Sequence, residues 1–185
     1  MLPIVVDTET TGLGQAAERE DAIVEVAFAW RDPASGAVRT WARLCNPGER
    51  HLAGGRADRA LGISQIRIED VRAAPDAREV AVEMRRELRA LARAPGATLL
   101  AYNVAFDAPF LAQAPWHLHG PWGPCLKLAA HRALDPGGKW PRLLEACRML
   151  GIAYPGAAHR AVHDAHAALL VHEALQARAT AAPTA

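Results

Sequence analysis

The sequence predicts an α/β fold. Short β-branched segments, the first of them at residues 4–6, have strand character, and they alternate with longer segments whose apolar residues recur at helical spacing. The chain has 185 residues, of which 51% are hydrophobic. This length and composition suit one globular domain with a substantial core, rather than two independent domains.

The first predicted strand ends in two carboxylates, Asp7 and Glu9, followed by a turn at Gly12. Side chains alternate faces along a strand, so both acids point the same way, about 6.6 Å apart at a rise of roughly 3.3 Å per residue. Two such acids repel each other unless a cation lies between them, and carboxylate oxygens suit Mg²⁺ or Mn²⁺. A strand that simply ends in solvated polar residues is the alternative, and this stretch alone does not decide between them.

The first half of the chain continues the sheet and then forms a helix. Residues 21–30 and 38–44 are predicted strands joined by a turn at 32–36, so the sheet should begin antiparallel. Apolar residues at helical spacing predict an amphipathic helix over residues 76–93. The short apolar run at 97–102 is typical of a buried strand.

The second half is predicted to be mainly helical. We expect residues 125–133 to begin as a short strand and continue as a helix, and residues 140–150 to form another helix. The last helix should begin by His163 or Asp164. Residues 177–185 lack periodicity and should fray, which places one domain at residues 1–176.

Composition narrows the class of protein. The formal net charge is +1 and the three cysteines are widely spaced, which excludes a disulfide framework or a zinc knuckle and favours a reducing, cytoplasmic setting. We find no secretion signal and no uncharged apolar run of membrane-spanning length. If four carboxylates are neutralised by cations, the remaining charge is positive and permits a polyanionic substrate.

Four carboxylates stand at the ends of predicted elements, where a site can be assembled from distant parts of the chain. Asp7 and Glu9 end a strand, Asp107 opens a helix that follows a strand, and Asp164 opens the last helix. His159 lies five residues before Asp164, in the loop that leads into that helix.

The order and spacing of these residues resemble the DEDDh exonucleases of the RNase T and DnaQ-like superfamily. The matching stretches are Asp-Thr-Glu-Thr-Thr-Gly at 7–12, Asn-Val-Ala-Phe-Asp at 103–107 and His-Arg-Ala-Val-His-Asp at 159–164. The segment at 125–129 and the short C-terminus look closest to exonuclease X within that family.

The resemblance implies a ribonuclease-H-like fold with a mixed five-stranded sheet flanked by helices. It also implies that Asp7, Glu9, Asp107 and Asp164 hold two Mg²⁺ or Mn²⁺ ions, with Asp7 shared between them. His159 would be the general base, and its ordinary pKa near neutrality suits that task.

Three alternatives to this interpretation are weaker. The tyrosine variant of the family would have tyrosine four residues before the last acid, where this chain has Arg160. His163 is adjacent to Asp164 and should face away from its target, because a helix turns about 100° per residue. His159 and His163 have the spacing of a zinc protease pair, but Arg160 stands where such a protease has glutamate.

Substrate contacts are predicted from the same resemblance. Thr10, Gly12 and Leu13 would hold the terminal nucleotide, with Leu13 against a base, and Asn103 and Phe106 would add a hydrogen bond and a packing surface. Phe106 is equally consistent with a core position.

Three more features bear on substrate binding. Trp116 and Trp122 suit base stacking, although loop packing is the favoured interpretation for both. Leu61 stands where many relatives have a histidine that contacts the nucleotide.

The sequence therefore predicts a metal-dependent 3′-to-5′ exonuclease that acts on nucleic acid 3′ ends, with DNA favoured. The alternatives are an exoribonuclease of the oligoribonuclease or RNase T kind, a polymerase-associated proofreading subunit, and a non-catalytic nucleic-acid-binding domain. The segment after the last helix is short and poor in large apolar residues, so a polymerase partner is not indicated. The oligomeric state does not follow from the sequence.

Overall fold

A four-stranded mixed sheet forms the centre of the protein, as seen in a computed structural model that describes residues 2–14 and 21–181. The strands are β1 (Leu2–Thr10), β2 (Ile23–Arg31), β3 (Val38–Leu44) and β4 (Ala97–Leu100), in the order β3-β2-β1-β4. β1 pairs antiparallel with β2 and parallel with β4, and β2 pairs antiparallel with β3. The antiparallel start predicted from the sequence is confirmed.

Eight helices occupy the described part of the chain. They are α1 (Glu49–Leu52), α2 (Gly55–Ser64), α3 (Ile68–Ala73), α4 (Ala77–Leu91), α5 (Val104–Ala112), α6 (Leu126–Leu134), α7 (Leu143–Leu150) and α8 (Ala161–Ala181). The side chain of Asp76 caps α4 by accepting a hydrogen bond from the Arg78 backbone N–H, at 2.8 Å. Across the described residues, no helix is both long and apolar enough to cross a membrane.

Each face of the sheet has its own core. Val5 of β1 and Ala27 and Ala29 of β2 pack with α6, α7 and α8, whereas Ile4 and Val6 face the opposite core of α4 and α5. Alanines on both β2 and α8 allow α8 to pack close to the sheet, because small side chains keep the two backbones only a short distance apart. The alternation along β1 therefore sends successive side chains into different layers.

The predicted fifth strand is wrong for the described residues. Where it would lie, beside β4, the chain makes a single parallel bridge between Leu99 and Trp122, and the Gly123 N–H donates to the Leu99 carbonyl at 2.8 Å. Pro121 and Pro124 flank that bridge and have no N–H to donate, so a regular ladder cannot extend in either direction. The chain then enters α6 at Leu126 without a preceding strand.

Two helix boundaries also differ from the sequence prediction. α7 begins at Leu143 rather than near Trp140, because Pro141 precedes it and the Glu145 carboxylate accepts a hydrogen bond from the Arg142 backbone N–H at 2.7 Å. α8 begins at Ala161, in agreement with a start by His163, but it continues to Ala181. The helix thus extends past residue 176, and residues 182–185 lie outside the described part of the chain.

Candidate active site

A cleft of about 1020 Å³ opens at the carboxyl end of β1. Its floor is formed by the end of that strand, and the beginnings of α5 and α8 supply its sides. All four acids predicted from the sequence line this cleft, together with the predicted histidine: Asp7, Glu9, Asp107, Asp164 and His159. The fold therefore brings together residues that are separated by up to 157 positions in the chain.

Asp7 and Glu9 point from β1 toward the α8 side of the sheet, in line with Val5. Burial raises the pKa of Asp7 well above its ordinary value, and the nearby charges of Asp107 and Asp164 raise it further. Burial, followed by the charges of Asp164 and Glu25, raises the pKa of Glu9 to about 8. Both acids therefore resist ionisation when no cation is present.

Asp107 is hydrogen-bonded to Thr8 of β1, whose side chain alternates with those of Asp7 and Glu9. It lies in the first turn of α5 and is only 3% exposed, and the Thr8 hydroxyl donates a 2.8 Å hydrogen bond to its Oδ1. Burial raises the pKa of Asp107 to about 7, although the hydrogen bond from Thr8 opposes that increase. Thr8, which also lines the cleft, thus holds the Asp107 carboxylate in place.

Asp164 lies in the first turn of α8 and has two local partners. The Tyr154 hydroxyl donates to its Oδ1 at 2.6 Å, and the backbone N–H of His159 donates to the same oxygen at 3.2 Å. Burial raises the pKa of Asp164, while these hydrogen bonds and the nearby His159 lower it. Asp164 therefore lines the cleft and is also hydrogen-bonded to the segment that precedes α8.

His159 is exposed and lies beside the acids. Its φ of 62° is in the left-handed region, which few non-glycine residues adopt. Potential ligand atoms of Glu9, His159 and Asp164 all lie within 4.8 Å of one another. His163 does not line the cleft, and its Nδ1 lies 3.0 Å from the Ala157 carbonyl oxygen, so its ring faces away as helix geometry predicts.

The donor set of the cleft fits hard divalent cations. Four convergent carboxylates supply oxygen ligands, which suit Mg²⁺ and Mn²⁺. Their raised pKa values have a common physical cause, since burial and mutual repulsion penalise the ionised forms. Positive charge between them would remove that penalty, so these four acids could hold a cation.

The predicted substrate contacts also lie on this cleft, which is lined by Thr10, Gly12, Leu13, Asn103 and Phe106. Leu13 is 85% exposed, which is unusual for a large apolar side chain and leaves it available to a ligand. Phe106 also packs beside Phe110, with ring centroids 5.2 Å apart, so the predicted alternatives of cleft wall and core are both met.

Two of these residues shape the turn after β1. The Thr10 hydroxyl donates to the Gly12 carbonyl at 2.6 Å. A Cβ added at Gly12 would lie 2.5 Å from Asp21 Oδ2, so a larger residue would require the Asp21 carboxylate or the turn to shift. Asp21 in turn accepts a hydrogen bond from the Gly14 backbone N–H at 2.8 Å, which closes the turn.

Trp116 and Trp122 contribute to packing. Trp116 is 3% exposed and Trp122 packs against the core beneath α4. The packing interpretation favoured by the sequence is therefore confirmed for Trp116.

Several residues of the site were not anticipated. Glu25 and Arg160 form an ion pair at the base of the His159 loop, and Tyr154 contacts Asp164 directly. A glutamate within an otherwise apolar strand is a signal that could have indicated Glu25, because buried carboxylates are rare unless paired. Basic side chains on the walls were missed as well: Arg56, Arg59, Lys127 and Arg142.

The fold and the cleft together define a ribonuclease-H-like domain that carries a carboxylate site at the end of its first strand. A family model described as the RNase T exonuclease matches residues 4–172, and the chain belongs to that family. The family predicted from the sequence is confirmed, whereas the specific likeness to exonuclease X stays a prediction. A comparison with curated protein sequences finds no match.

Solved structures support the fold. Cell-death related nuclease 4 (CRN-4) matches with a TM-score of 0.73 at 13% identity, over 97% of this chain and 64% of that one. The nuclease domain of 3′hExo, a DEDDh family member bound to rAMP, matches with a TM-score of 0.71 at 14% identity, covering 97% and 92%. Pop2p of S. pombe, with Mg²⁺ and Mn²⁺ bound, matches with a TM-score of 0.65 at 14% identity, covering 97% and 83%. This chain thus spans less than two thirds of the CRN-4 chain.

Proposed function

We propose that this protein is a metal-dependent 3′-to-5′ exonuclease that releases nucleoside 5′-monophosphates, with DNA as the favoured substrate. One observation carries the proposal: Asp7, Glu9, Asp107 and Asp164 converge on one cleft with His159 at its rim. Membership of the RNase T exonuclease family supports the reaction class. The 3′-exonucleases among the structural neighbours support the proposed direction of hydrolysis.

The four carboxylates would hold two Mg²⁺ or Mn²⁺ ions, with Asp7 between them. When bound there, such ions lower the pKa of water and offset negative charge that develops on the phosphate in the transition state. Without this neutralisation, four carboxylates in one cleft would repel the phosphate backbone of any nucleic acid. The same argument disfavours a non-catalytic binding domain, for which these acids serve no purpose.

His159 is the proposed general base. Its side chain is exposed at the cleft, and its loop precedes α8, so the imidazole is free to reach an attacking water while its backbone stays near Asp164. Histidine is the side chain most often used as a general base in proton transfer. Loss of His159 should therefore lower kcat far more than it changes substrate affinity.

The walls of the cleft support a polyanionic substrate. Four basic side chains line it: Arg56 and Arg59 of α2, Lys127 of α6, and Arg142. These positive charges flank the acids, so they can hold phosphates of the strand while its terminal phosphodiester lies at the carboxylates. Exposed Leu13 is placed to pack against the terminal base.

An exoribonuclease is the second candidate. One structural neighbour is a nuclease domain bound to rAMP, and another is a 3′-exonuclease that recognises a histone mRNA stem-loop. Matched DNA and RNA oligomers digested side by side would distinguish the two substrates.

The test uses single-stranded DNA and RNA of the same sequence, labelled at the 5′ end, with MgCl₂ or MnCl₂. The proposal expects a ladder that shortens by one nucleotide at a time, loss of activity in EDTA, and loss of activity in Asp7→Ala. No shortening of either strand, or shortening that persists in Asp7→Ala, would contradict it. Faster digestion of RNA would replace the DNA preference with the second candidate.

A further inference from the structure

Glu25 is a buried carboxylate placed opposite one of the site acids. It is 2% exposed, and the antiparallel register of β1 and β2 pairs it directly with Glu9. Like charges in directly opposed strand positions destabilise a sheet, and a buried carboxylate is costly unless it is paired and hydrogen-bonded. An acid at this position therefore needs a specific partner.

That partner comes from the loop that carries His159. The Arg160 guanidinium donates from Nη2 to Glu25 Oε1 at 2.8 Å and from Nε to Oε2 at 3.1 Å. The backbone N–H of Ala161, the first residue of α8, donates to the same Oε2 at 2.9 Å. Three hydrogen bonds from two consecutive residues thus fix the start of α8 to β2, and the two bonds of the guanidinium also set its orientation.

These contacts follow His159 immediately in the chain. On its other side, the His159 backbone N–H donates to Asp164. The hydrogen bonds to Asp164 and to Glu25 therefore restrain the backbone of His159, which has a left-handed φ of 62°. The imidazole itself is exposed. Because the guanidinium of Arg160 is hydrogen-bonded to Glu25, we expect it to stabilise the loop rather than to bind a substrate phosphate.

We propose that Glu25 and Arg160 are positioning residues that place His159 at the cleft. The inference rests on the proposed role of His159 as the base. Neither residue needs to touch the reacting atoms, because a displacement of the base by about 1 Å is enough to slow a proton transfer strongly. The pair therefore acts on kcat through His159 and leaves substrate binding largely unchanged.

The chain offers a matched control. Arg31 of β2 and Glu173 of α8 form another two-bond ion pair, at 2.6 Å for each bond, that joins the same strand and the same helix farther from the cleft. Glu173→Gln removes a β2–α8 charge pair of similar geometry without affecting the His159 loop. It should leave kcat, KM and Mn²⁺ affinity at wild-type values.

The first arm of the experiment measures kcat, KM and Mn²⁺ affinity for Glu25→Gln, Arg160→Gln and Arg160→Lys. We expect kcat to fall about ten- to a hundredfold in the two glutamine variants, with KM and Mn²⁺ affinity within about twofold of wild type. Arg160→Lys keeps the charge but loses the two-bond geometry, so it should recover part of the lost kcat. A fall in Mn²⁺ affinity that matches the loss of kcat would show that Glu25 acts through Glu9, and would overturn the proposal.

The second arm repeats Glu25→Gln in a His159→Ala background. If the pair acts through His159, the second substitution should not lower the residual kcat further. An equal loss in both backgrounds would overturn the inference. Should Glu25→Gln fail to fold by circular dichroism, Glu25→Gln with Arg160→Gln replaces it, because two amides can hydrogen-bond without a buried charge.

The two proposals fail differently. Unchanged kcat in His159→Ala would refute the base itself, and with it the proposed mechanism. A low kcat in His159→Ala combined with wild-type kcat in Glu25→Gln would refute the positioning role alone.

Discussion

Replacing one site acid by its amide should stabilise the metal-free protein at high pH. Burial and neighbouring acids raise the pKa of Glu9 from 4.5 to about 8. Between these values the folded state binds a proton that the unfolded state has lost, so raising the pH favours unfolding. The loss of folding stability caused by ionisation of Glu9 is absent below about pH 4.5 and complete above about pH 8.

The magnitude follows from that pKa difference. At about 1.4 kcal/mol per pH unit, it corresponds to roughly 5 kcal/mol. Glu9 is partly exposed, and solvent screening reduces the expected gain for Glu9→Gln to about 1–3 kcal/mol. Glutamine cannot ionise, so the gain should appear at pH 9 and vanish at pH 4.

The assay is urea unfolding in EDTA at both pH values, with Glu79→Gln as the control. Glu79 is an exposed carboxylate in the first turn of α4, away from the cleft. With saturating Mn²⁺ the wild-type protein should be more stable than Glu9→Gln, because the variant lacks a proposed ligand and is stabilised less by metal binding. The reasoning fails if Glu9→Gln lowers the free energy of unfolding at pH 9 in EDTA, or if its effect is the same at both pH values.

Three further predictions test individual contacts. Tyr154→Phe removes the 2.6 Å hydrogen bond to Asp164 and should weaken Mn²⁺ binding about tenfold by calorimetry, whereas unchanged affinity would mean that the hydroxyl does not orient the acid. Gly12→Ala places a Cβ 2.5 Å from the Asp21 carboxylate that accepts from Gly14, so the carboxylate must shift or the turn must open, and KM should rise several-fold with Mn²⁺ affinity retained; wild-type KM would exclude this turn from the substrate site. Leu13→Ala should also raise KM, without lowering the free energy of unfolding by more than about 0.5 kcal/mol, because the side chain is 85% exposed; an unchanged KM would remove Leu13 from substrate binding.

Much of the fold was accessible from the sequence because local patterns agree with it. The β-branched run of β1 and the helical spacing of α4 both specify elements that the structure contains. The fifth strand was expected from family resemblance, and it fails where the chain has Pro121 and Pro124, which cannot donate to a ladder. Local chemistry at those two positions overrides the general pattern of the fold.

That Asp7, Glu9, Asp107 and Asp164 lie together in one cleft was predictable, because each is near the end of a strand or the start of a helix. Glu25 and Arg160 were not, because their pairing depends on the register of β2 against β1 and on the exact start of α8. Tyr154 shows the same limit, since ten residues of loop and helix separate it from Asp164 and only the folded loop brings its hydroxyl to that carboxylate. Residues that position a site are specified by tertiary geometry, whereas residues that form it often carry a local signature.

The central claim is that four convergent acids form a cation site, and calorimetric titration with Mn²⁺ tests it most directly. At pH 7.5 we expect binding of two ions per chain with release of protons, because burial and repulsion leave Glu9 and Asp107 partly protonated in the metal-free protein. Asp7→Asn should abolish or strongly weaken both binding events, since Asp7 lies close enough to Asp107, Asp164 and Glu9 for the charge of each to raise its pKa. Wild-type protein that gives no heat of Mn²⁺ binding, or Asp7→Asn that binds as wild type does, would contradict the account.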